Sequence, residues 1–277
     1  MNLAIDAGGT HLRAEIWQGD VLVAQKKAKS GEIGLCAWIE KLLLEYNDVA
    51  TVGISYAGQV HEGIILSSPN ISVDCHNIKE TIEQKFGVKL YLENDLNCAV
   101  LAEAKEFGVQ NICALYVGTG LGLGVVEGGR VVCGAKNVAT ELGHIPYKKT
   151  ALTCGCGRNN CLELFASGSG IAKQITAKNL ICAPTLEALK AIGENAIIAS
   201  FEGALLVGAG TALTLFNPQV LVLGGGVIEA NPYLEDFILK HIKQYALPNS
   251  LQNVTICKSR LKNAPLMGAL LLKDYHG

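Results

Sequence analysis

The chain has 277 residues, of which 49% are apolar and 17% charged, and its formal net charge is −2. That balance excludes long disordered stretches, and the scatter of Lys and Arg excludes the electrostatic footprint of a nucleic-acid or membrane-surface protein. The length admits one large domain or two of medium size, either with a substantial core, and small molecules are the expected partners.

The opening Met1-Asn2-Leu3-Ala4-Ile5-Asp6 lacks the positive start and apolar run of a secretory signal, so a cytoplasmic protein is expected. No uninterrupted apolar run reaches the roughly 18–20 residues that span a bilayer. Leu3 to Ile5, Leu12 to Trp17 and Val21 to Lys26 read as the strands of an antiparallel meander, separated by Gly-rich or Gly-Asp turns. Trp38 to Tyr46 has helical spacing, Val49 to Ile54 and Leu90 to Leu92 read as strands, and Ile78 to Phe86 and Asp95 to Phe107 as helices. These elements make a first α/β domain over residues 1–111.

A second, larger α/β domain is expected over 112–263. It opens with strands at Cys113 to Val117, Gly122 to Glu127 and Arg130 to Cys133, repeating the strand, Gly turn, strand theme of the N-terminus. Asp6-Ala7-Gly8-Gly9-Thr10 has its echo in Gly118-Thr119-Gly120, so two phosphate-embracing turns are expected to face one another across a cleft. A long helical region from Leu164 to Phe216, broken near Pro184, leads to the buried-strand pattern Val220 to Leu223. A terminal helix within 264–277 is expected to pack back on the first domain.

Most of the ten cysteines lie singly in apolar segments (Cys98, Cys113, Cys133, Cys182), where reduced cysteine acts as a small hydrophobe. Three are clustered, in Cys154-Gly155-Cys156-Gly157-Arg158-Asn159-Asn160-Cys161, and His144 precedes them by ten residues. Three thiolates and an imidazole complete a tetrahedral zinc set with no position left for a catalytic water, which makes the ion structural. A redox pair is the weaker reading, because the spacing is Cys-x-Cys rather than Cys-x-x-Cys.

Each Gly turn is a weak signal alone, but their pairing, together with Gly224-Gly225-Gly226 after an apolar strand, favours backbone N–H groups cradling phosphate without a Lys-containing P-loop. Asp6 beside the first turn suits Mg²⁺, held through water. Glu93-Asn94-Asp95-Leu96-Asn97 ends a strand and begins a helix. Asp95 there reads both as a helix N-cap and, with Asn94, as a grip on adjacent hydroxyls at the C-terminal end of a strand. Glu141 and Glu163 flank the zinc ligands, so the ion would fix both carboxylates against one substrate.

Taken together, Asp6 to Thr10, Gly53 to Gly58, Glu93 to Asn97, Gly118 to Gly122, Glu141-Leu142-Gly143-His144, Cys154 to Glu163 and Leu223 to Gly226 resemble the ROK family (repressors, uncharacterised reading frames and kinases) along the whole chain. The resemblance implies a two-lobed actin-like and hexokinase-like (ribonuclease H-like) ATPase fold with a central cleft that closes on a sugar. It implies an ATP- and Mg²⁺-dependent sugar kinase with a structural Zn²⁺, most simply a homodimer. Asp95 would be the general base, while Gly58, Asn94, Glu141, His144 and Glu163 would contact the sugar, with glucose the first candidate ahead of N-acetylmannosamine, N-acetylglucosamine and fructose. Gly8, Gly9, Thr10, Gly118 and Thr119 would receive the phosphates, Gly224, Gly225 and Gly226 would border adenosine, and Asp6 would sit near Mg²⁺. Many relatives carry a basic residue where this chain has His11, and often Pro where it has Ala57. The family's repressors add an N-terminal DNA-binding domain, which is not expected here because a strand begins at residue 3; a sugar sensor without catalysis is the rival reading.

Overall fold

The computed structural model describes residues 1–67 and 71–276. The chain divides into two units, the first made of 1–106, 133–139 and 261–277, and the second of 107–132 and 140–260. The expected division at 111/112 therefore differs from the observed one in its boundary and in the segment Cys133–Ala139, which groups with the first unit.

In the first unit β1 (Asn2–Ala7), β2 (His11–Gln18) and β3 (Val21–Lys29) form the antiparallel meander, with Asp6 opposite Arg13 and His11 opposite Lys29. The alternation that marks these strands in the sequence is the alternation of burial: Leu12, Ala14 and Ile16 face the core while Arg13 is exposed. Next comes α1 (Leu35–Glu45). Its N-cap is Gly34, which has no side chain to offer, and the Asp74 carboxylate accepts from Cys36 N and Ala37 N at 2.9 Å each instead. A Cβ on Gly34 would stand 2.2 Å from that carboxyl group, which explains the glycine.

β4 (Thr51–Tyr56) lies parallel to β1 and is followed by a hairpin of β5 (Gln59–His61) and β6 (Ile64–Ser67). The sequence reading missed this hairpin. Its strands are too short to show a period, although the Glu62-Gly63 turn, with φ of 49° and 81°, is the two-residue kind that matches strand twist. α2 (Ile78–Phe86) ends where Gly87 takes φ 69° and returns its N–H to Glu83 O. β7 (Lys89–Asn94) pairs parallel to β4, and α3 (Asp95–Phe107) follows without a loop. The sheet order is β3-β2-β1-β4-β7, over a core that includes Leu3, Ile5, Ile39, Ile54 and Ile82.

The second unit repeats the plan. β8 (Ile112–Val117), β9 (Leu121–Glu127) and β10 (Arg130–Val131) form a meander, and β10 stops short of the expected Cys133 as the chain leaves the sheet. The long helical region is three helices: α4 (Gly168–Ala177), α5 (Leu186–Ala191) and α6 (Asn195–Phe216). It starts four residues later than the pattern suggests and breaks twice, the second time at Gly193, whose φ is 73°. α6 is long and apolar enough to cross a membrane, yet Phe201, Leu205, Ala209 and Leu213 along it are fully buried in this unit, as a core helix requires. β11 (Val220–Gly224), α7 (Gly226–Ala230), α8 (Tyr233–His241) and β12 (Thr255–Lys258) complete a sheet of order β10-β9-β8-β11-β12, parallel from β8 onward. The meander followed by parallel strands in both units is the internal repeat that the two Gly turns announce.

α9 (Ala264–His276) packs on β1, β4 and β7 of the first unit. Gly277, the last residue of the expected terminal helix, lies outside the described residues.

Candidate active site and metal centre

The parallel strands β1, β4 and β7 bring Asp6, Ser55 and Glu93 into one row, so the chain segments leaving their C-terminal ends are neighbours. One row further on, Tyr56 is opposite Asn94. Asp6 lies mostly buried, 3.7 Å from the Arg13 guanidinium and 3.3 Å from the Ser55 hydroxyl. Burial raises its carboxyl above the ordinary range, against the opposing pull of Arg13 and Ser55. In the turn that follows, Gly8 N donates to His11 O, and Ser30 donates its N–H to Thr10 O and its hydroxyl to Gly8 O at 2.5 Å, while Gly9 and Thr10 are exposed. At His11, desolvation and then Lys27, Arg13 and Lys29 push the imidazole pKa down, so the ring is neutral near pH 7.

At the β7–α3 junction the Asn94 side chain is the helix cap. Its Oδ1 accepts from Leu96 N at 2.9 Å and Asn97 N at 3.3 Å, and its Nδ2 donates to Gly58 O at 3.1 Å. Among the described residues, Gly58 O is the acceptor of the Asn94 side-chain amide. Asp95, the first residue of α3, accepts from Leu96 N at 3.0 Å. The N-cap reading of this stretch thus passes from Asp95 to Asn94. A Cβ on Gly58 would meet Ser67 O at 2.4 Å, so this glycine is fixed by the hairpin's close approach. Asn137, which the sequence does not single out, and Asn97, the last residue of the Glu93–Asn97 motif, converge on Glu93 Oε1 at 2.6 and 3.0 Å. Asn137 carries no local signal, because its partner is 44 residues away.

In the second unit, His144, Cys154, Cys156 and Cys161 bring one donor atom each to within 4.8 Å of one another. Cys156 Sγ and Cys161 Sγ are 3.4 Å apart, and His144 Nδ1 is 3.6 Å from Cys154 Sγ. Ideal tetrahedral zinc sets edges of about 3.8 Å for S–S and about 3.5 Å for S–N, so these two edges lie close to what that ion requires. The backbone explains the convergence. Pro146 and Cys161 bridge, Leu162 N donates to Ile145 O, and Arg158 Nη2 donates to His144 O at 2.6 Å, which locks the histidine segment alongside the cysteine loop. With Nδ1 toward the thiols, His144 Nε2 points outward, 3.9 Å from Glu141 Oε2. The protein around Glu141 raises its carboxyl; His144 opposes that shift and Glu163 reinforces it. Glu163 spreads its two oxygens: Oε2 accepts from Leu121 N at 3.0 Å, and Oε1 is 3.5 Å from Cys154 Sγ.

The turn Gly118-Thr119-Gly120 is stitched to the start of α4, where Gly168 N donates to Gly118 O and Ser169 N to Thr119 O. Ser167, fully buried, caps that helix through Gly170 N at 3.0 Å and binds Glu163 O at 2.7 Å. An open cavity of about 450 Å³ is lined by Gly118, Thr119, Gly168, Ser169, Pro184 and Gly226, among others. The sequence analysis names Pro184 only as a helix break and does not single out Gly168 and Ser169, although Ser-Gly-Ser-Gly before an apolar period is a legible helix start. A Cβ on Gly224 would lie 2.7 Å from the Tyr116 ring, and one on Gly225, at φ 90°, 2.6 Å from Val117 O; those two glycines serve the fold, whereas Gly226 faces the open cavity.

The ROK family profile matches residues 2–275. The chain is similar to the glucokinase of Thermotoga maritima, at 28% identity over 96% of this chain and 95% of that one. It is similar to the ROK hexokinase of Thermus thermophilus, with a TM-score of 0.83 at 27% identity over 99% of both chains. It is also similar to the xylose repressor of Bacillus spizizenii, 28% identical over 78% of this chain and 59% of the repressor. Its fold is the actin-like, hexokinase-like ATPase fold, and the chain belongs to the ROK family.

Proposed function

We propose that this chain, an ATP-dependent sugar kinase by family and fold, phosphorylates the 6-hydroxyl of a hexose, with D-glucose first among the substrates. The observation that carries the reading is the β7–α3 junction. There Asn94 caps the helix and grips Gly58, so Asp95 has a fixed seat at the C-terminal edge of a parallel sheet, where such folds bind ligands. Asp95 would accept the hydroxyl proton as the oxygen attacks the γ-phosphorus and ADP leaves. Phosphoryl transfer asks the protein mainly for alignment and charge neutralisation, so a carboxylate that orients the hydroxyl and takes its proton late is sufficient. Asn94, Gly58, Glu141, His144 and Glu163 would hold the sugar. Gly8, Gly9, Thr10, Gly118 and Thr119 would take the phosphates and Gly224 to Gly226 the adenosine, with Asp6 beside Mg²⁺, which supplies charge neutralisation. His144, Cys154, Cys156 and Cys161 would hold zinc, leaving Nε2 of the histidine for the substrate. A cytoplasmic homodimer completes the reading.

The test is ATP-dependent ADP release with glucose, N-acetylmannosamine, N-acetylglucosamine and fructose. Turnover is expected with at least one of them. Asp95→Asn should lower kcat about 10²–10⁴-fold, the range for a lost general base, with the sugar Kd little changed. Tight sugar binding without turnover in the unaltered protein would instead establish a sugar sensor, and near-normal turnover in Asp95→Asn would remove the base from that residue.

A further inference from the structure

Glu93 is 4% exposed, and it is the penultimate residue of β7, the strand that delivers Asn94 to the helix beginning at Asp95. A single oxygen, Oε1, accepts from Asn94 N at 2.7 Å, Asn97 Nδ2 at 3.0 Å and Asn137 Nδ2 at 2.6 Å. Asn137 also donates from Nδ2 to Val60 O at 3.0 Å and accepts from Asn97 at Oδ1, 3.2 Å away. Val60 belongs to the hairpin strand that follows Gly58, and Gly58 O in turn accepts from Asn94. The contacts therefore form a closed circuit of Glu93, Asn97, Asn137, the Gly58–Val60 segment and Asn94. None of its bonds depends on a ligand.

We propose that Glu93 and Asn137 are positioning residues for the phosphoryl-accepting site: the buried carboxylate gathers the first turn of α3, the Gly58–Val60 segment and the Cys133–Ala139 segment into one rigid frame around Asp95. The inference rests on the reading of Asp95 as general base. Two features support it beyond the bond list. Cys133–Ala139 belongs to the first unit although the residues on both sides of it belong to the second, and the Asn137 side chain bonds to Glu93, Asn97 and Val60 of that unit, with Cys133 Sγ also 3.9 Å from Asn97 Nδ2. Asn137 also holds a φ of 58°, a left-handed conformation that asparagine tolerates and most residues do not, so its amide is delivered to Glu93 by the backbone as well. A polar network with every member paired fixes one arrangement of its parts, and a base misplaced by about 1 Å can lose about 10²-fold in rate.

The experiment uses the full chain with Asn137→Gly, which removes the tether while keeping the φ, and Glu93→Gln, which keeps an acceptor at Oε1. With whichever hexose of the four-sugar panel the unaltered protein phosphorylates, Asn137→Gly should raise the sugar KM and lower kcat, together costing about 10–100-fold in kcat/KM, and Glu93→Gln should cost less. The ATP Kd and zinc content should stay within about twofold, because those sites use other residues. Hydrogen exchange of the ligand-free protein should quicken at Leu96, Asn97 and 133–139 in Asn137→Gly while α1 and α2 keep their rates. Unchanged sugar kinetics and unchanged exchange would overturn the proposal, as would a uniform loss in sugar and nucleotide binding alike. If no sugar of the panel is turned over, the kinase reading fails on its own, and the exchange pattern alone still decides whether the frame exists.

Discussion

Gly118 and Gly226 line the same open cavity, and a methyl group built on either would meet no atom of the protein within 4 Å. Neither has positive φ, so neither the fold's packing nor its backbone demands glycine there. A nucleotide approaching bare backbone there, as proposed, would. Gly226 is the first residue of α7, where alanine is the better helix former by about 1 kcal/mol. We therefore expect Gly226→Ala to fold with unchanged or slightly raised Tm and to bind ATP about 10-fold or more weakly, with the sugar Kd unaltered. Isothermal titration with a non-hydrolysable ATP analogue, beside a thermal melt, measures both; full nucleotide affinity in the variant would place the adenosine elsewhere. Gly224→Ala offers the contrast, since its methyl would strike the Tyr116 ring and cost stability first.

At the scale of elements, the cysteine loop is held by short backbone bonds rather than by an apolar core of any size. Cys154 N donates to Arg158 O and Gly157 N to Cys154 O, and the loop's own cluster contains little beyond Cys154, Cys161 and Leu164. The free energy of zinc binding would supply the missing order. Cys161 leads directly into the turn that carries Glu163, and Glu163 in turn holds Leu121 N beside the Gly118–Gly120 turn. Loss of the ion should thus loosen both Glu163 and that turn. Cys156→Ser, or a strong chelator, is expected to weaken sugar binding about 10-fold or more, before the main unfolding transition moves by more than a few degrees. Zinc content by plasma emission, paired with sugar titration, reads this out. A metal-free preparation with full sugar affinity would make the four ligands an accidental cluster.

At the scale of the whole molecule, what was legible in the sequence is what local spacing encodes. The meander of β1 to β3, the spans of α2 and α3, and the convergence of His144, Cys154, Cys156 and Cys161 each follow from a period, a cap or a motif within about 20 residues. Of the Cys133–Ala139 segment the spacing marks only Cys133, as the end of a strand, because the segment's place depends on an amide–carboxylate bond across 44 residues that leaves no trace in local pattern. α9 is intermediate. Its apolar run marks a helix, but its seat is set by two glycines from opposite sides of the contact. A Cβ on Gly268 would stand 1.8 Å from Cys98 O in α3, and one on Gly53 in β4 would stand 2.0 Å from Ala269 O. Such approaches leave no slack, so Gly268→Ala must push α9 from α3 or bend it. Overpacking of this kind costs about 1–3 kcal/mol, or roughly 2–10 °C in Tm for a chain of this length. Cys98 lies one helical turn beyond Asp95, so turnover should fall with stability, whereas zinc content, whose proposed ligands all belong to the other unit, should hold. Calorimetry with ADP-release kinetics on the same sample makes the comparison. A variant with a lowered Tm but full kcat would show that α9 braces the sheet without bearing on the first turn of α3.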